Sequence, residues 1–579
     1  MLTRLAIRNF KLFDSVEIEL GERVVFVGPN NSGKTSALQA LALWHAGVRR
    51  WVEKRGAGNV PKERAGVTIN RKDLIALPVP AANLLWRDLH VREGYRDAGR
   101  QKTRNVLIEI DVDGITSGAI WTTRLEFDYA NEESFYCRSR IGPEGTRYEV
   151  PATAAELRVA YLPPMSGLAA NETRLDPGAI DVRIGEGRTA EVLRNLCWRV
   201  FETNPDAWRR IVNRIDELFG VTLGDPAYIK ERGEVVMSFR TKGGVTLDLS
   251  ASGRGQQQTL LLLAHMAANP GAVLLLDEPD AHLEILRQRE IYRVLAQTAE
   301  ETGSQVIAAS HSEVILNEAA HQDVVIAFVG RPHRINDRSS QVNDRSSQVL
   351  KALKKIGFDQ YLQAEQTGWV LYLEGATDLA ILRAFAEKLG HPARELLERP
   401  FVYWVGNQPP RAQEHFHALR EAKPDLAGIA IYDRLEKGLP ADLYLRQEMW
   451  RKREIENYLC QEATLLNWAN AQARSEPGPL WGLAVLDAMK TAIQKVRDAL
   501  ASLGKPNPAS PDLKASDEFL DPVFKNFFDA LDRPNLMRKT DYHTLAPFVP
   551  ADALDDEVRE KLDAIVAVAR SARPEGTPA

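Results

Sequence analysis

Cysteine is nearly missing from this chain. Cys137, Cys197 and Cys460 are the only three in 579 residues, they lie far apart, and no CxxC pair occurs. That excludes a zinc ribbon and fits a reducing compartment. Net charge is also missing: 74 Lys and Arg against 79 Asp and Glu leave −5. No global basic field advertises nucleic acid, so any such site must be local. Long apolar runs are absent too. The most apolar window, Leu260 to Leu276, is interrupted by His265, Asn269 and Pro270, and Met1 to Arg8 has no apolar leader core. The expectation is a soluble, cytoplasmic protein with no membrane partner. Hydrophobic residues make up 44% and charged residues 26%, which suits a globular core, and 579 residues call for more than one domain.

Three nucleotide-handling motifs stand in a fixed order. Gly28-Pro29-Asn30-Asn31-Ser32-Gly33-Lys34-Thr35 is a P-loop, with the strand Val24-Val25-Phe26-Val27 before it and the helical run Thr35 to Leu41 after it. Strand, glycine loop and helix is the context in which backbone N–H groups cradle phosphates. There Gly28, Asn30, Asn31, Ser32 and Gly33 wrap ATP, Lys34 neutralises its phosphate oxygens and Thr35 ligates Mg²⁺. Ser250 to Gln257 has the Ser/Gly/Gln character of an ABC signature, so Ser252, Gly253, Gly255 and Gln256 are candidates for the γ-phosphate held by an opposite subunit. Val273 to Pro279 reads as a Walker B strand. Asp277 is the second ligand of that Mg²⁺, Glu278 polarises the attacking water, and His311 at the end of Gln305 to Ser310 senses the γ-phosphate. One chain carries a single set, so two copies are needed and a homodimer or higher homo-oligomer is expected.

The fold class expected is α/β. An ATPase head covers 1–330, with β and helical lobes inserted at about 45–245. A linker at 331–366 contains Asn336 to Val342 repeated at once as 343–349. A second α/β unit spans 367–470, and a helical region fills 471–579 with a disordered tail from Ser571. In the second unit, acids stand at strand ends: Glu374 and Asp378 after Trp369 to Leu373, Asp433 and Glu436 after Ile429 to Tyr432. Glu454 and Glu456 would share one face if their segment is extended. Such oxygens can gather Mg²⁺ or Mn²⁺ for phosphodiester chemistry. Between Arg49 and Arg104 there are 14 Lys/Arg and 6 Asp/Glu, with Trp51, Trp86 and Tyr95 among them. The stretch reads either as solvated surface or as a contact for a DNA backbone.

Ile7 to Phe13, the P-loop, Asp277 to Glu284 and Ser310-His311-Ser312 resemble the ATPase heads of the RecF, SMC and OLD group. The segment from Glu374 resembles a TOPRIM domain, and a TOPRIM domain behind an ABC-type head is the arrangement of OLD-family nucleases. The resemblance implies an ATP-gated, metal-dependent endonuclease acting on double-stranded DNA in anti-phage defence, as in Gabija-like systems, with a helicase or effector protein as a further partner. It implies metal roles for Glu374, Asp378 and Asp433, matches Glu454 and Glu456 to a Glu-x-Glu element, and points to Lys539 as the phosphate-stabilising lysine. The chain departs from the family's Asp-x-Asp, reading Asp433-Arg434-Leu435-Glu436. The alternative is an ATPase sensor whose TOPRIM domain is degenerate and controls a separate effector.

Overall fold

The computed structural model describes residues 1–56, 66–71, 74, 77, 79–97, 100–320, 322–328, 331–335, 356–475 and 479–574. Two compact units result, Met1–Leu350 and Lys351–Ala579. The tandem repeat at 336–349 lies outside the described residues. Among the described residues no helix is long and apolar enough to cross a membrane.

The first unit holds two six-stranded sheets. One is antiparallel, in the order Phe13–Glu19, Leu2–Phe10, Ile108–Thr116, Ala119–Asn131, Ser134–Ser139, Val67–Asn70. Its strands alternate: Ile108, Ile110 and Val112 are buried while Glu109, Asp111 and Asp113 reach the surface, as a sheet covered on one face requires. The β strands expected as an insert therefore share a sheet with the N-terminal strands.

The other sheet runs Val159–Leu162, Val273–Asp277, Gln305–Ser310, Arg23–Val27, Val324–Ala327, His333–Arg334. Its first five strands are parallel and the last is antiparallel. Every residue of Val273–Asp277 and of Gln305–Ser310 is buried, because helices or the antiparallel sheet cover both faces. Burying each leucine of Leu274 to Leu276 is worth roughly 1.5–3 kcal/mol. One face packs on the P-loop helix Lys34–Arg55 and the antiparallel sheet. The opposite face packs on Leu193–Thr203, Pro205–Phe219, Arg254–Ala268 and Ile285–Thr302.

Two aromatics of the basic stretch belong to the core. Trp51 and Trp86 are at 0% and 1% exposure, so they offer no stacking surface. Tyr95 is exposed, on the hairpin Arg92–Asp97 and Arg100–Asn105, with the Arg104 guanidinium 5.9 Å from its ring centre.

The second unit has a four-stranded, fully parallel sheet in the order Val402–Trp404, Trp369–Leu373, Ala427–Tyr432, Leu445–Met449. Helices Ala376–Lys388 and Pro409–Ala422 form crossovers. Leu371, Leu373, Ile429 and Ile431 pack with residues of Pro479–Ser502, Asp521–Ala530 and Asp556–Ser571, so the C-terminal helices share one core with the sheet. Val370, Tyr372, Ala430 and Tyr432 face Pro409–Ala422 on the other side. The expected tail from Ser571 begins inside structure: Ser571 ends the last helix, and a Cβ placed on Gly368 would lie 2.7 Å from the Pro574 nitrogen. Residues 575–579 lie outside the described residues.

Candidate nucleotide site and acidic cluster

In the first unit, Val27, Asp277 and Ser310 end parallel strands, so Gly28, Glu278 and His311 open from the same sheet edge. That edge is where open α/β sheets collect ligands. Gly28 (φ 156°) and Gly33 (φ 102°) adopt backbone conformations that side chains rarely tolerate. A Cβ on Gly28 would sit 2.6 Å from the Phe328 carbonyl oxygen, and one on Gly33 would sit 2.8 Å from the Phe13 ring. Asn30 and Asn31 are exposed and Ser32 is half-buried along the loop.

Lys34 Nζ donates to the carbonyls of Gly28 (2.7 Å) and Pro29 (2.8 Å). Burial lowers its pKa, against the pull of Glu278 and Asp277. Thr35 Oγ1 donates to Asp277 Oδ1 at 3.1 Å, and Tyr161 donates its phenol to Asp277 Oδ2 at 3.2 Å. Burial raises the Asp277 pKa, while the Thr35 and Tyr161 hydrogen bonds oppose the rise. A hydroxyl and a buried carboxylate in contact form a hard-oxygen pair that suits Mg²⁺. Glu278, at φ 48°, is turned out of the strand, and His311 Nδ1 lies 3.7 Å from its Oε1.

The signature segment behaves differently. Ser252 Oγ donates to the Leu249 carbonyl at 2.7 Å, and Gly253 and Gly255 flank the start of helix Arg254–Ala268. Ser252 and Gly255 are half-buried and Gly253 is exposed. Gln256 is buried, and its Nε2 has no hydrogen-bond partner. Contrary to the sequence expectation, Gln256 is thus not presented outward with Ser252. Tyr161 was missed by sequence reasoning. Its only signal was the short apolar run Val159 to Leu162.

In the second unit, Glu374 and Asp433 follow adjacent parallel strands and meet. Asp433 is held well above the usual carboxylate range, first by burial and then by the hydrogen-bonded Glu374 carboxyl beside it. Asp378 Oδ2 accepts the Glu374 backbone N–H at 3.1 Å, and burial plus Glu374 raise Asp378 to about 6. Glu456 is raised to about 8 by burial and Glu454, with Lys539 opposing. Lys539 Nζ lies 3.9 Å from Glu456 Oε1 and donates to Ser516 Oγ at 3.3 Å. Burial works against the Lys539 charge, yet Glu456, Glu454, Asp517 and Glu374 raise its pKa.

Other sequence-predicted ligands fall away from this group. Glu454 and Glu456 do not lie on an extended face, because Ile455–Tyr458 is a 3₁₀ turn. Glu454 caps that turn in a reciprocal pair with Asn457 and also accepts the Ser516 N–H, so its oxygens are already engaged. Glu436 is exposed in the loop beyond Asp433. Among the described residues, no group of three or more His, Cys, Asp or Glu side chains is disposed to grip one ion. Burial and the neighbouring Glu374 carboxyl favour the protonated form of Asp433, and a cation between the two would relieve the same repulsion. Arg434 does not fill that place: its guanidinium bonds Asp512 (2.5 Å) and the Arg451 carbonyl (3.2 Å).

Asn407 is the residue that sequence reasoning overlooked here. Its Nδ2 donates to Glu374 Oε2 at 2.8 Å, and its Oδ1 accepts the Asp433 N–H at 2.9 Å. It stands at φ 58° just beyond Val405, and an amide after a third strand-like run was the available signal.

Residues 163–317 match a family model described as "AAA domain, putative AbiEii toxin, Type IV TA system", and residues 1–46 match one described as "AAA ATPase domain". No curated protein matches the chain. Among solved structures, the SMC head domain from Thermotoga maritima is 17% identical, covers 58% of this chain and 99% of its own, and has a TM-score of 0.30. An Smc head domain with an extended coiled coil bound to the C-terminal domain of ScpA, from Pyrococcus furiosus, is 14% identical over 57% of this chain and 96% of that one, with a TM-score of 0.34. The two family matches and the P-loop geometry agree: the N-terminal unit carries an ATPase domain of the AAA type in a mixed α/β fold.

Proposed function

We propose that the chain is an ATP-gated DNA endonuclease of OLD type that works as a homodimer in anti-phage defence. In this reading Gly28 to Thr35, Asp277, Glu278 and His311 bind and hydrolyse ATP, with Ser252 and Gly253 completing the site of a second copy. Mg²⁺ between Thr35 and Asp277 would neutralise charge on the phosphates. The second unit is the nuclease, and the observation that carries this is Glu374 and Asp433 at the ends of adjacent parallel strands, both held by Asn407, with Asp378 on the following helix and Glu456 in a 3₁₀ turn beside Lys539. Four carboxyl groups against one ammonium form a hard-oxygen donor set that fits Mg²⁺ or Mn²⁺ chemically, since a cation would offset the burial and the mutual repulsion that raise the pKa values of Asp378, Asp433 and Glu456. Such an ion supplies charge stabilisation at a phosphodiester. The residues' own work is to hold it, while Asn407 orients Glu374 and Lys539 meets the phosphate. The defence setting and the OLD assignment follow from the family resemblance of the motifs.

One observation favours a second reading, an ATPase sensor that controls a separate effector: the acidic side chains do not form a three-ligand grip as they stand, and Glu454 is committed as a cap. Incubating plasmid DNA with the purified chain separates the two. The nuclease reading expects nicked or linear product with Mg²⁺ or Mn²⁺, a response to ATP, and no product with a chelator. Intact plasmid under every metal and nucleotide combination leaves the sensor.

A further inference from the structure

The segment that leads to Ser252 has little packing of its own. Thr246–Asp248 is an edge strand of the small sheet formed with Thr222–Leu223 and Ser238–Arg240, and its three residues are exposed. Beyond it, Leu249–Ala251 makes a single 3₁₀ turn anchored by the buried Leu249. Ser252 rides on that turn, because its N–H (3.1 Å) and its hydroxyl (2.7 Å) both donate to the Leu249 carbonyl. Hydrogen bonds of a 3₁₀ turn have poor geometry, so the serine is fixed only as well as the residue that caps the turn.

That residue is Asp248. Its Oδ1 accepts the Ser250 N–H (2.8 Å) and the Ser250 hydroxyl (2.6 Å), and it also accepts Arg194 Nη2 at 2.9 Å. Burial works to raise the Asp248 pKa, but the Ser250 and Arg194 bonds outweigh it and hold the carboxyl below its usual range. Arg194 is 1% exposed, near the start of helix Leu193–Thr203, which lies against the signature helix Arg254–Ala268. A buried guanidinium is kept only where its bonds are made. Arg194 Nη1 donates to the Ala169 carbonyl at 2.9 Å and lies 4.0 Å from Glu172 Oε2. Glu172 in turn accepts the backbone N–H groups of Arg194 (2.9 Å) and Asn195 (2.6 Å), which fixes the start of the helix. A pinned donor thus reaches from the helical layer to the turn that carries Ser252.

We propose that Arg194 and Asp248 form a positioning clasp that holds Ser252 and Gly253 in register with ATP bound by a second copy of the chain. The inference rests on the two-copy ATPase reading given above. Both residues act through the turn and are positioning residues. The clasp governs turnover and leaves uptake alone: a chain's own P-loop holds ATP through Lys34 and Thr35, whereas its signature segment is needed only once two copies close. Loss of the clasp is therefore felt in the partner's site.

Asp248→Ala is the probing change, because the Asp248 side chain is 51% exposed and Arg194 keeps Ala169 and Glu172 as partners. Full chains are used, and subunit exchange is verified first with differently tagged copies. A control pair, Lys34→Ala mixed with Ser252→Arg, should recover turnover that neither variant shows alone. Asp248→Ala alone should bind a non-hydrolysable ATP analogue as the wild type does, yet hydrolyse ATP about 10²-fold more slowly, the cost of misplacing a group by about 1 Å. Its turnover should return on mixing with Lys34→Ala, whose signature segment is intact, and stay low on mixing with Ser252→Arg. Asp248→Asn keeps a capping oxygen without the charge and should lie between. A chain that is merely destabilised gains from neither mixture. Wild-type turnover in Asp248→Ala overturns the proposal, and so does rescue by neither mixture or by both. If the control pair stays silent although subunits exchange, the two-copy reading falls and the clasp with it. If the control pair recovers and the Asp248→Ala pattern is missing, the clasp alone falls.

Discussion

The two units gather charge at the ends of parallel strands in opposite ways. In the first, every charge of the nucleotide site already has a partner: Lys34 on two loop carbonyls, Asp277 between Thr35 and Tyr161, Glu278 near His311. In the second, Glu374, Asp378, Asp433 and Glu456 stand near one lysine, and burial together with the neighbouring acids raises the pKa values of Asp378, Asp433 and Glu456. A phosphate-binding loop can be complete before its ligand arrives, because backbone N–H groups and glycine conformations do most of the work. A carboxylate cluster cannot, because its own repulsion must be relieved by a proton or a cation.

The sharpest way to separate the two is to remove one acid from each. Glu374→Ala deletes the carboxyl beside Asp433 that accepts from Asn407, so if the second unit is the proposed nuclease, DNA cutting should fall below detection while ATP turnover stays near wild type. Plasmid nicking and phosphate release in parallel check it, and cutting that survives would take Glu374 out of the site. Glu278→Gln should do the reverse. Nucleotide binding persists through Lys34, Thr35 and Asp277, while steady hydrolysis drops about 10²–10⁴-fold, the usual cost of losing a positioned general base. Wild-type turnover in that variant would remove Glu278 from the chemistry.

A smaller effect is expected where the two sites differ in support. Asn407 touches both Glu374 and Asp433 but would not touch a metal first. Asn407→Ala should lower Mn²⁺ affinity and cutting by about 10–100-fold, the ordinary range for an outer partner of a metal ligand. Excess Mn²⁺ should restore part of the cutting rate. If Mn²⁺ affinity is unmoved, Asn407 merely closes a turn.

How far these sites were legible follows from contiguity. The P-loop and Val273 to Pro279 each carry their chemistry in one unbroken segment, and their apolar strands leave little doubt about where the loops open. Tyr161 and Asn407 act alone, at strand ends with no motif around them, and only the sheet order brings them to Asp277 or Glu374. Glu454 misled for a related reason: a Glu-x-Glu pattern suggests one face of a strand, whereas Asn457 closes a capped turn through Glu454. In the basic stretch the helix period separates core from surface. Trp44, Val48 and Trp51 fall on one buried face of Lys34–Arg55, while Arg49 and Lys54 are exposed.

A last expected effect distinguishes the units by acid sensitivity. Burial holds His45 and His265 of the first unit at about 4, and His415 of the second at about 4. Unfolded histidine titrates near 6.5, so between about 6.5 and 4 the unfolded chain binds more protons and stability is lost as pH falls, by up to about 3 kcal/mol for each histidine. The raised acids act with the opposite sign. Asp433 at about 10 and Glu456 at about 8 keep protons in the folded, metal-free second unit that the unfolded chain releases above about 4. Acidification from pH 8 towards 4.5 therefore relieves the acidic cluster of the second unit, opposing the loss at His415, while His45 and His265 weaken the first. Hydrogen exchange in the presence of a chelator should show protection of Val273–Asp277 falling relative to Trp369–Leu373 as pH drops through 6, after correction for the intrinsic exchange rate. Addition of Mg²⁺ at pH 8 should raise protection of Trp369–Leu373 by more than it does at pH 5, because the cation must displace fewer protons there. Equal acid loss in both strands would mean that the carboxyl cluster is already relieved by something other than a proton.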